Sequence, residues 1–275
     1  MTEALDGEAI GAGVLPALRP LLRRVTVFDK IDSTNRELAR MTPAERHAHA
    51  VLAEHQTAGR GRRARTWHSP AGGNLYLSLG WRFSRAAQAF STLPLVAAIA
   101  AADTLKQAGL SGHGIKWPND ILAGGTKLAG ILVELQSGSA HPTAIIGTGI
   151  NVRMPATEDE DPDVFIDRPW TDLESELDKA HAPCDRNALA ASLISRLLAS
   201  LDRFERDGFS SFASAWRRYD LLEGGAVTLQ LDNGTVTGTA QGVSEEGELI
   251  ILSGNGEQRA FHAGEVRVFR GIRTF

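Results

Sequence analysis

The sequence predicts an α/β (α+β) protein in two unequal parts, a larger mixed unit followed by a small all-β module. Three observations carry this expectation. Short apolar runs bounded by Gly, Pro or Asn alternate with helical stretches through the first part of the chain. In the segment 187–206, Leu189, Leu193, Ile194, Leu197, Leu198, Leu201 and Phe204 fall on one face at helical spacing. From Gly225 onward the texture changes to short strands separated by Gly-rich turns, the pattern of a small β-barrel. The expected division is 1–222 and 223–275.

Taken in order, residues 1–20 have no clear period and read as an irregular arm, at most with a short helix at its end. Val25–Phe28 reads as a strand. Ser33-Thr34-Asn35 then opens a helix to about Met41, and Thr34 and Glu37 have the spacing of a capping box. Val51–Ala53 is a short strand, and Leu75–Phe83 alternates like another. A helix spans about 91–108 and stops at Gly109. Strands are expected over 115–117, 127–135 and 144–152. Glu158 to Asp163 holds five acids in six residues and reads as a solvated loop. In the last part, strands are expected over 227–231, 235–243, 248–252, 258–262 and 266–269, with Asn233-Gly234 as the hairpin signal.

Composition excludes several classes. The chain has 275 residues, 43% of them hydrophobic, enough for a sizeable core. A net charge of −4 disfavours a general nucleic-acid coating role. The single cysteine, Cys184, excludes an intramolecular disulfide and a cysteine-built metal site, and fits a reducing cytoplasmic location. The histidines show no HExxH spacing, so no resident metal is expected. The longest apolar run, near Leu93 to Ala102, is too short to cross a bilayer.

Against this acidic background the segment GRGRRAR stands out, with Arg60, Arg62, Arg63 and Arg65 gathered in six residues around Gly59 and Gly61. Glycines let backbone N–H groups approach an anion, and arginines supply forked, permanently charged donors for phosphate and carboxylate. A solvated basic turn and a nucleic-acid contact are the competing readings. Lys116-Trp-Pro-Asn-Asp120 would place a lysine at the end of a strand facing a cleft, with Pro118 holding Trp117 extended and Asn119-Asp120 turning the chain. Lys127-Leu-Ala-Gly-Ile-Leu-Val-Glu134 carries Gly130 within an apolar strand, where a ligand or another backbone comes close. Gly147-Thr-Gly-Ile-Asn-Val152 lacks the following helix that a dinucleotide fold requires.

The order of these motifs is more specific than any one of them. STN, QxAGRGRxxRxW, GGNLYLS, KWPND, KLAGILVE and GxGINV in succession resemble the biotin–protein ligase family, most densely from Phe28 to Val152. The resemblance implies a mixed-sheet catalytic domain with an SH3-like C-terminal barrel. It implies two steps: biotin and ATP give biotinyl-5′-AMP and pyrophosphate, with Mg2+ accompanying ATP. The biotinyl group then passes to one lysine of a biotin carboxyl carrier protein, that of acetyl-CoA carboxylase.

By matched position, the resemblance casts Lys116 and Arg62 as the catalytic cations. It assigns biotin to Ser33, Thr34, Asn35, Gln56, Gly59, Arg60, Gly61, Arg62, Gly73, Lys116 and Gly130. Within this set, Ser33, Thr34 and Gln56 hold the ureido head, and the Arg60–Arg62 backbone covers biotin. The nucleotide side falls to Arg62, Arg65, Trp67, Asn119, Lys127 and Asn151. The arginine loop is expected to be a mobile, self-repelling lid, with Arg63 and Arg65 solvated until it closes.

Only 32 residues precede Ser33, and they show no helix–turn–helix pattern, so no DNA binding is expected. No membrane association is expected either. Family members can dimerise through sheet edges, so a homodimer is carried as an expectation of the resemblance alone. A lipoate–protein ligase and a nucleic-acid-binding module are the rival readings.

Overall fold

The computed structural model describes residues 3–84, 90–136, 141–155, 169–177 and 183–270. The acidic run at 158–163 lies outside them. Two sheets organise the chain. The first has seven strands: β1 (Arg24–Ile31), β2 (His49–Gln56), β3 (Leu75–Arg82), β4 (His113–Lys116), β5 (Asp120–Ala123), β6 (Thr126–Gln136) and β7 (Thr143–Ile150), in the order β1-β2-β3-β7-β6-β5-β4. β1 and β2 run parallel and the other neighbours antiparallel, so the sheet is mixed. The second is an antiparallel sheet of β8 (Ala226–Leu231), β9 (Gly234–Val243), β10 (Leu249–Leu252), β11 (Gln258–Phe261) and β12 (Glu265–Arg270), in the order β11-β10-β9-β8-β12. This is the SH3-like C-terminal part.

The helices are α1 (Gly7–Gly13), α2 (Thr34–Arg40), α3 (Pro43–Arg46), α4 (Leu93–Gln107), α5 (Leu173–Glu176), α6 (Arg186–Asp207) and α7 (Ala213–Tyr219). Strand alternation divides the first sheet into two faces. Ala50, Leu52, Ala144 and Ile146 join the main core with α4 and α6, whereas Val51 and Ile145 pack with Leu38 of α2 on the opposite side. The second face is shallow. Beyond Ile145, β7 continues on that side with Gly147 and Gly149, which leaves room above the sheet.

Several local expectations change. The N-terminal arm contains a true helix, α1, capped by Asp6, whose side chain accepts from Glu8 N and Ala9 N. Three of its seven residues are glycine, so packing on α6 rather than propensity sustains it: a Cβ at Gly13 would stand 2.8 Å from Ala191 Cβ. The capping box is not at Thr34 and Glu37. Ser33 is the N-cap of α2 without a side-chain capping bond, and the reciprocal box is formed by Thr42 and Glu45 on α3. Residue 120 opens β5, so the turn falls on 117–119, and the Trp117–Pro118 peptide is cis. In the β8–β9 hairpin Leu231 pairs with Gly234, which makes Asp232 and Asn233 the loop residues, one position earlier than an Asn-Gly turn.

A buried ion pair ties three distant segments together. Arg186, at the start of α6, donates to Glu54 Oε2 at 2.7 Å, to Asn74 O at 3.1 Å and to Glu3 O at 2.6 Å. Removing one partner of such a pair strands the other charge. Arg186→Met is therefore expected to cost about 3–5 kcal/mol, lowering the thermal midpoint by roughly 10 °C. Thermal unfolding followed by circular dichroism checks this.

Candidate active site

The shallow face of the first sheet holds a cavity of about 740 Å³. It is floored by β6 and β7, walled by the start of α2 and the end of β2, and covered by the arginine loop; Gly264, Glu265 and Val266 reach it from the second sheet. Every residue that the sequence singled out for the site lines it except Gly73. The close neighbour of Gly73 is instead Arg153, whose carbonyl oxygen an added Cβ would strike. That glycine serves backbone packing.

The floor is open because glycines sit where the pleat points upward. Gly130 of β6 pairs with Gly149 of β7. A Cβ on Gly130 would come within 2.9 Å of the Trp67 ring and one on Gly149 within 2.6 Å, so the indole lies across both. Lys127 Nζ sits 5.2 Å from that ring's centre, within reach of a cation–π contact. The Trp67 Nε1 is buried with no hydrogen-bond partner among the described residues, a donor left for something held in the cavity.

At one end a polar network surrounds the start of α2. Thr34 N donates to Gln56 Oε1 at 3.0 Å, and Gln56 Nε2 donates to Ser69 Oγ at 3.0 Å. Ser78 Oγ lies 2.5 Å from Asn35 Oδ1 and 2.7 Å from Thr34 Oγ1. Asn35 Nδ2 donates to Glu134 Oε2 at 2.7 Å. Ser33, Thr34, Asn35 and Ser78 are all buried. Uncharged donors and acceptors grouped this way suit a compact neutral head with both N–H and C=O groups.

Cations gather at the other end. Arg62 donates to Asn119 Oδ1 at 2.8 Å, and Asn119 is itself fixed by donating to Ile131 O at 2.8 Å. Burial lowers the Arg62 guanidinium from its ordinary value, opposed by the nearby Asp120; an arginine stays charged at neutral pH regardless. Lys127 Nζ pairs with Asp120 Oδ1 at 2.7 Å. Lys116, the last residue of β4, also lines this end. Asn151 spends its amide on Thr171 O at 3.0 Å, so it holds the 169–171 segment in place.

The arginine loop is less self-repelling than its sequence implies, although Arg60, Arg63 and Arg65 remain exposed. Arg60 pairs with Glu134 at 2.7 Å, Arg63 with Asp232 at 3.3 Å, and Arg65 with Glu265 at 2.6 Å. The loop thus bridges the first sheet to the second. Gly61 N donates to Arg65 O at 2.7 Å, and Arg60 forms a β-bridge with Thr66, closing the loop on itself. Arg63 (φ 55°) and Ala64 (φ 59°) occupy the left-handed region, which costs each non-glycine residue roughly 1 kcal/mol.

Contributors missed in the sequence include Ser78, Glu134, Ser69 and Glu265. The first two end motifs already singled out, NLYLS and KLAGILVE. With Gly130 facing the cavity, the period of two puts Glu134 on the same side. Nothing in the sequence brings Glu265 to the loop.

Comparison with known proteins agrees with this geometry. The pattern of the biotin/lipoate A/B protein ligase family matches residues 27–151, and that of the biotin protein ligase C-terminal domain matches residues 224–268. The bifunctional ligase/repressor BirA of Salmonella typhimurium is 38% identical over 243 residues, 88% of this chain and 73% of that one. The biotin–[acetyl-CoA-carboxylase] ligase of Mycobacterium tuberculosis is 36% identical over 251 residues, 89% of this chain and 88% of that one. Among solved structures, the biotin protein ligase of Aquifex aeolicus in complex with biotin and ATP superposes with a TM-score of 0.75 at 28% identity, covering 91% of this chain and all of that one. Matched in both of its parts and along most of each of these relatives, the chain belongs to the biotin protein ligase family.

Proposed function

We propose that biotin lies along the glycine floor of the cavity, its ureido head at Ser33, Thr34, Asn35 and Gln56 and its carboxylate at Arg62 and Lys116. The chain is an ATP-dependent biotin ligase. In the first step a biotin carboxylate oxygen attacks the α-phosphorus of ATP, pyrophosphate leaves, and biotinyl-5′-AMP forms. In the second, the ε-amine of the acceptor lysine attacks the activated carbonyl, AMP leaves, and the amine gives up a proton. The acceptor supplies the nucleophile, so the ligase needs no serine or cysteine of its own.

One observation carries this placement: a neutral polar end and a cationic end share one cavity, spanned by paired glycines. Biotin has the same polarity, a neutral head and an anionic tail. The cationic end offsets repulsion between two anions and stabilises charge that develops on the phosphate. On the nucleotide side stand Arg62, Arg65, Trp67, Asn119 and Lys127, with Asn151 acting from behind. Magnesium enters with ATP as part of that substrate. It prefers phosphate oxygens and retained water, and Asp120 and Glu265 are the carboxylates on the adjoining wall.

In this reading the acceptor is the biotin carboxyl carrier protein of acetyl-CoA carboxylase, the site of action is the cytoplasm, and the units are 1–222 and 223–275. No operator DNA is bound; a band shift with biotinyl-5′-AMP at physiological salt would overturn that. A homodimer would pair through an edge strand, β1 or β4, and sedimentation would detect it. Among the described residues no helix is long and apolar enough to cross a membrane.

Pyrophosphate release from ATP is expected with biotin and not with lipoate or with ATP alone; release with lipoate would reverse the substrate assignment. Gly147→Ala tests the head position. Its Cβ would run into Asn35 Oδ1, a clash that forces Asn35 to move. The expected outcome is a rise in the KM for biotin of about tenfold with the KM for ATP little changed, since overpacking of this size costs ~1–3 kcal/mol.

A further inference from the structure

We propose that Glu134 is a positioning residue that sets the donor–acceptor polarity of the pocket reading the cyclic urea of biotin. The inference rests on the head placement given above and adds a residue and a role to it.

The argument starts from what each group can do. An ionised carboxylate only accepts hydrogen bonds. Asn35 must therefore turn its Nδ2 toward Glu134 Oε2, 2.7 Å away. That orientation fixes its Oδ1 on Ser78, 2.5 Å away. An amide oxygen also only accepts, so the Ser78 hydroxyl donates to it. Ser78 has a single hydroxyl proton and also touches Thr34 Oγ1 at 2.7 Å. Thr34 is consequently the donor in that contact. Gln56 Oε1, at 3.2 Å, is the more distant acceptor for the same proton and already takes the Thr34 backbone N–H at 3.0 Å. With its proton committed, Thr34 offers the cavity a lone pair, which suits a ureido N–H.

One charge at the cavity edge thus orders three side chains in sequence. Ser78 is wholly buried, and Thr34 and Asn35 are each 4% exposed, so water cannot easily supply alternative partners. Glu134 itself is held by Arg60 Nη1, which donates to its other oxygen at 2.7 Å. The arginine that begins the covering loop and the amide that shapes the head pocket therefore meet on one carboxylate. No chemical step passes through Glu134, and it touches no reacting atom.

Glu134→Gln removes the one-way instruction, because an amide can present either an oxygen or an NH2 to Asn35. The KM for biotin is expected to rise at least tenfold, with the KM for ATP within about threefold of wild type. The double exchange, Asn35→Asp with Glu134→Gln, restores the order. The amide now at position 134 can only usefully donate to the carboxylate now at position 35, and the second oxygen of that carboxylate still accepts from Ser78. This variant is expected to recover most of the lost biotin affinity. Ser78→Ala breaks the same chain one link on, so its effect should not add to that of Glu134→Gln.

A biotin KM within twofold of wild type in Glu134→Gln overturns the proposal, as does full additivity with Ser78→Ala or an exchange variant no better than the single one. Thr34→Ala separates the two levels. If it leaves the biotin KM unchanged, the head placement itself is wrong and the role of Glu134 falls with it. If it raises the KM while Glu134→Gln does not, the placement stands and only the inference fails. Thermal unfolding of each variant accompanies the kinetics.

Discussion

Replacing Lys116 by Met is expected to slow biotin-dependent pyrophosphate release by about two to three powers of ten, the usual effect of removing one preorganised electrostatic group from a transition state. The reason is position as well as charge. Lys116 ends β4 between Ile115, wholly buried, and Trp117, 2% exposed. The Trp117 indole donates to Gly247 O at 3.0 Å, so this end of β4 is tied to the turn between β9 and β10. A cation on such a frame needs little reorganisation when charge builds up on the α-phosphate. Methionine keeps the length and apolar stem of lysine, so the fold should survive. The second step is less demanding, because it starts from an anhydride already formed. Transfer from synthetic biotinyl-5′-AMP to the carrier is therefore expected to fall by no more than about tenfold. Pyrophosphate release within threefold of wild type would remove Lys116 from the catalytic role.

The contrast between what the sequence disclosed and what it concealed follows the range of the interactions. Alternating strands and the α6 stripe are local periodicities, and they were legible. So was the cavity lining, because motif order marks the strand ends and turns on which the site is built. Concealed features depend on partners far along the chain. The Thr34–Glu37 spacing fits a capping box, yet the Thr34 hydroxyl is used by Ser78, which lies 44 positions on and becomes a neighbour only when β3 pairs with β2. Arg63 and Arg65 look unpaired in a local window, but their acids lie 169 and 200 residues away in the second sheet. Helix α1 is hidden by its own glycines, since contact with α6 supplies the stability that its composition withholds. Gly73 erred in the other direction. The resemblance assigns it to biotin, but the group that comes close to it is the Arg153 backbone.

Arg62→Gly is expected to turn the ligase into a source of free activated biotin. Arg62 is the arginine of the loop that turns inward to the cavity rather than outward to an acid: its Nη1 donates to Asn119 Oδ1, and Asn119 is locked to Ile131. It sits next to the two left-handed residues Arg63 and Ala64, so the loop carries local backbone strain. Glycine deletes the cation and also frees the backbone at that position. Lys116 remains, so biotinyl-5′-AMP should still form. What fails is retention. Loss of a charge-assisted contact to phosphate, worth roughly 2–3 kcal/mol, corresponds to dissociation of the adenylate faster by about 30- to 150-fold. The anhydride then reacts with whatever amines it meets. Added serum albumin should become biotinylated, detectable by streptavidin blotting, while the yield on the carrier domain falls. Arg65→Ala provides the comparison. Its side chain is held by a half-exposed pair with Glu265, of the kind worth ~0–1 kcal/mol, and that acid competes with its nucleotide contact, so release should rise less than in Arg62→Gly. Equal bystander labelling by wild type and Arg62→Gly would show that the loop does not close over the intermediate, because a lid whose inward cation can be removed without leakage is not what retains the adenylate.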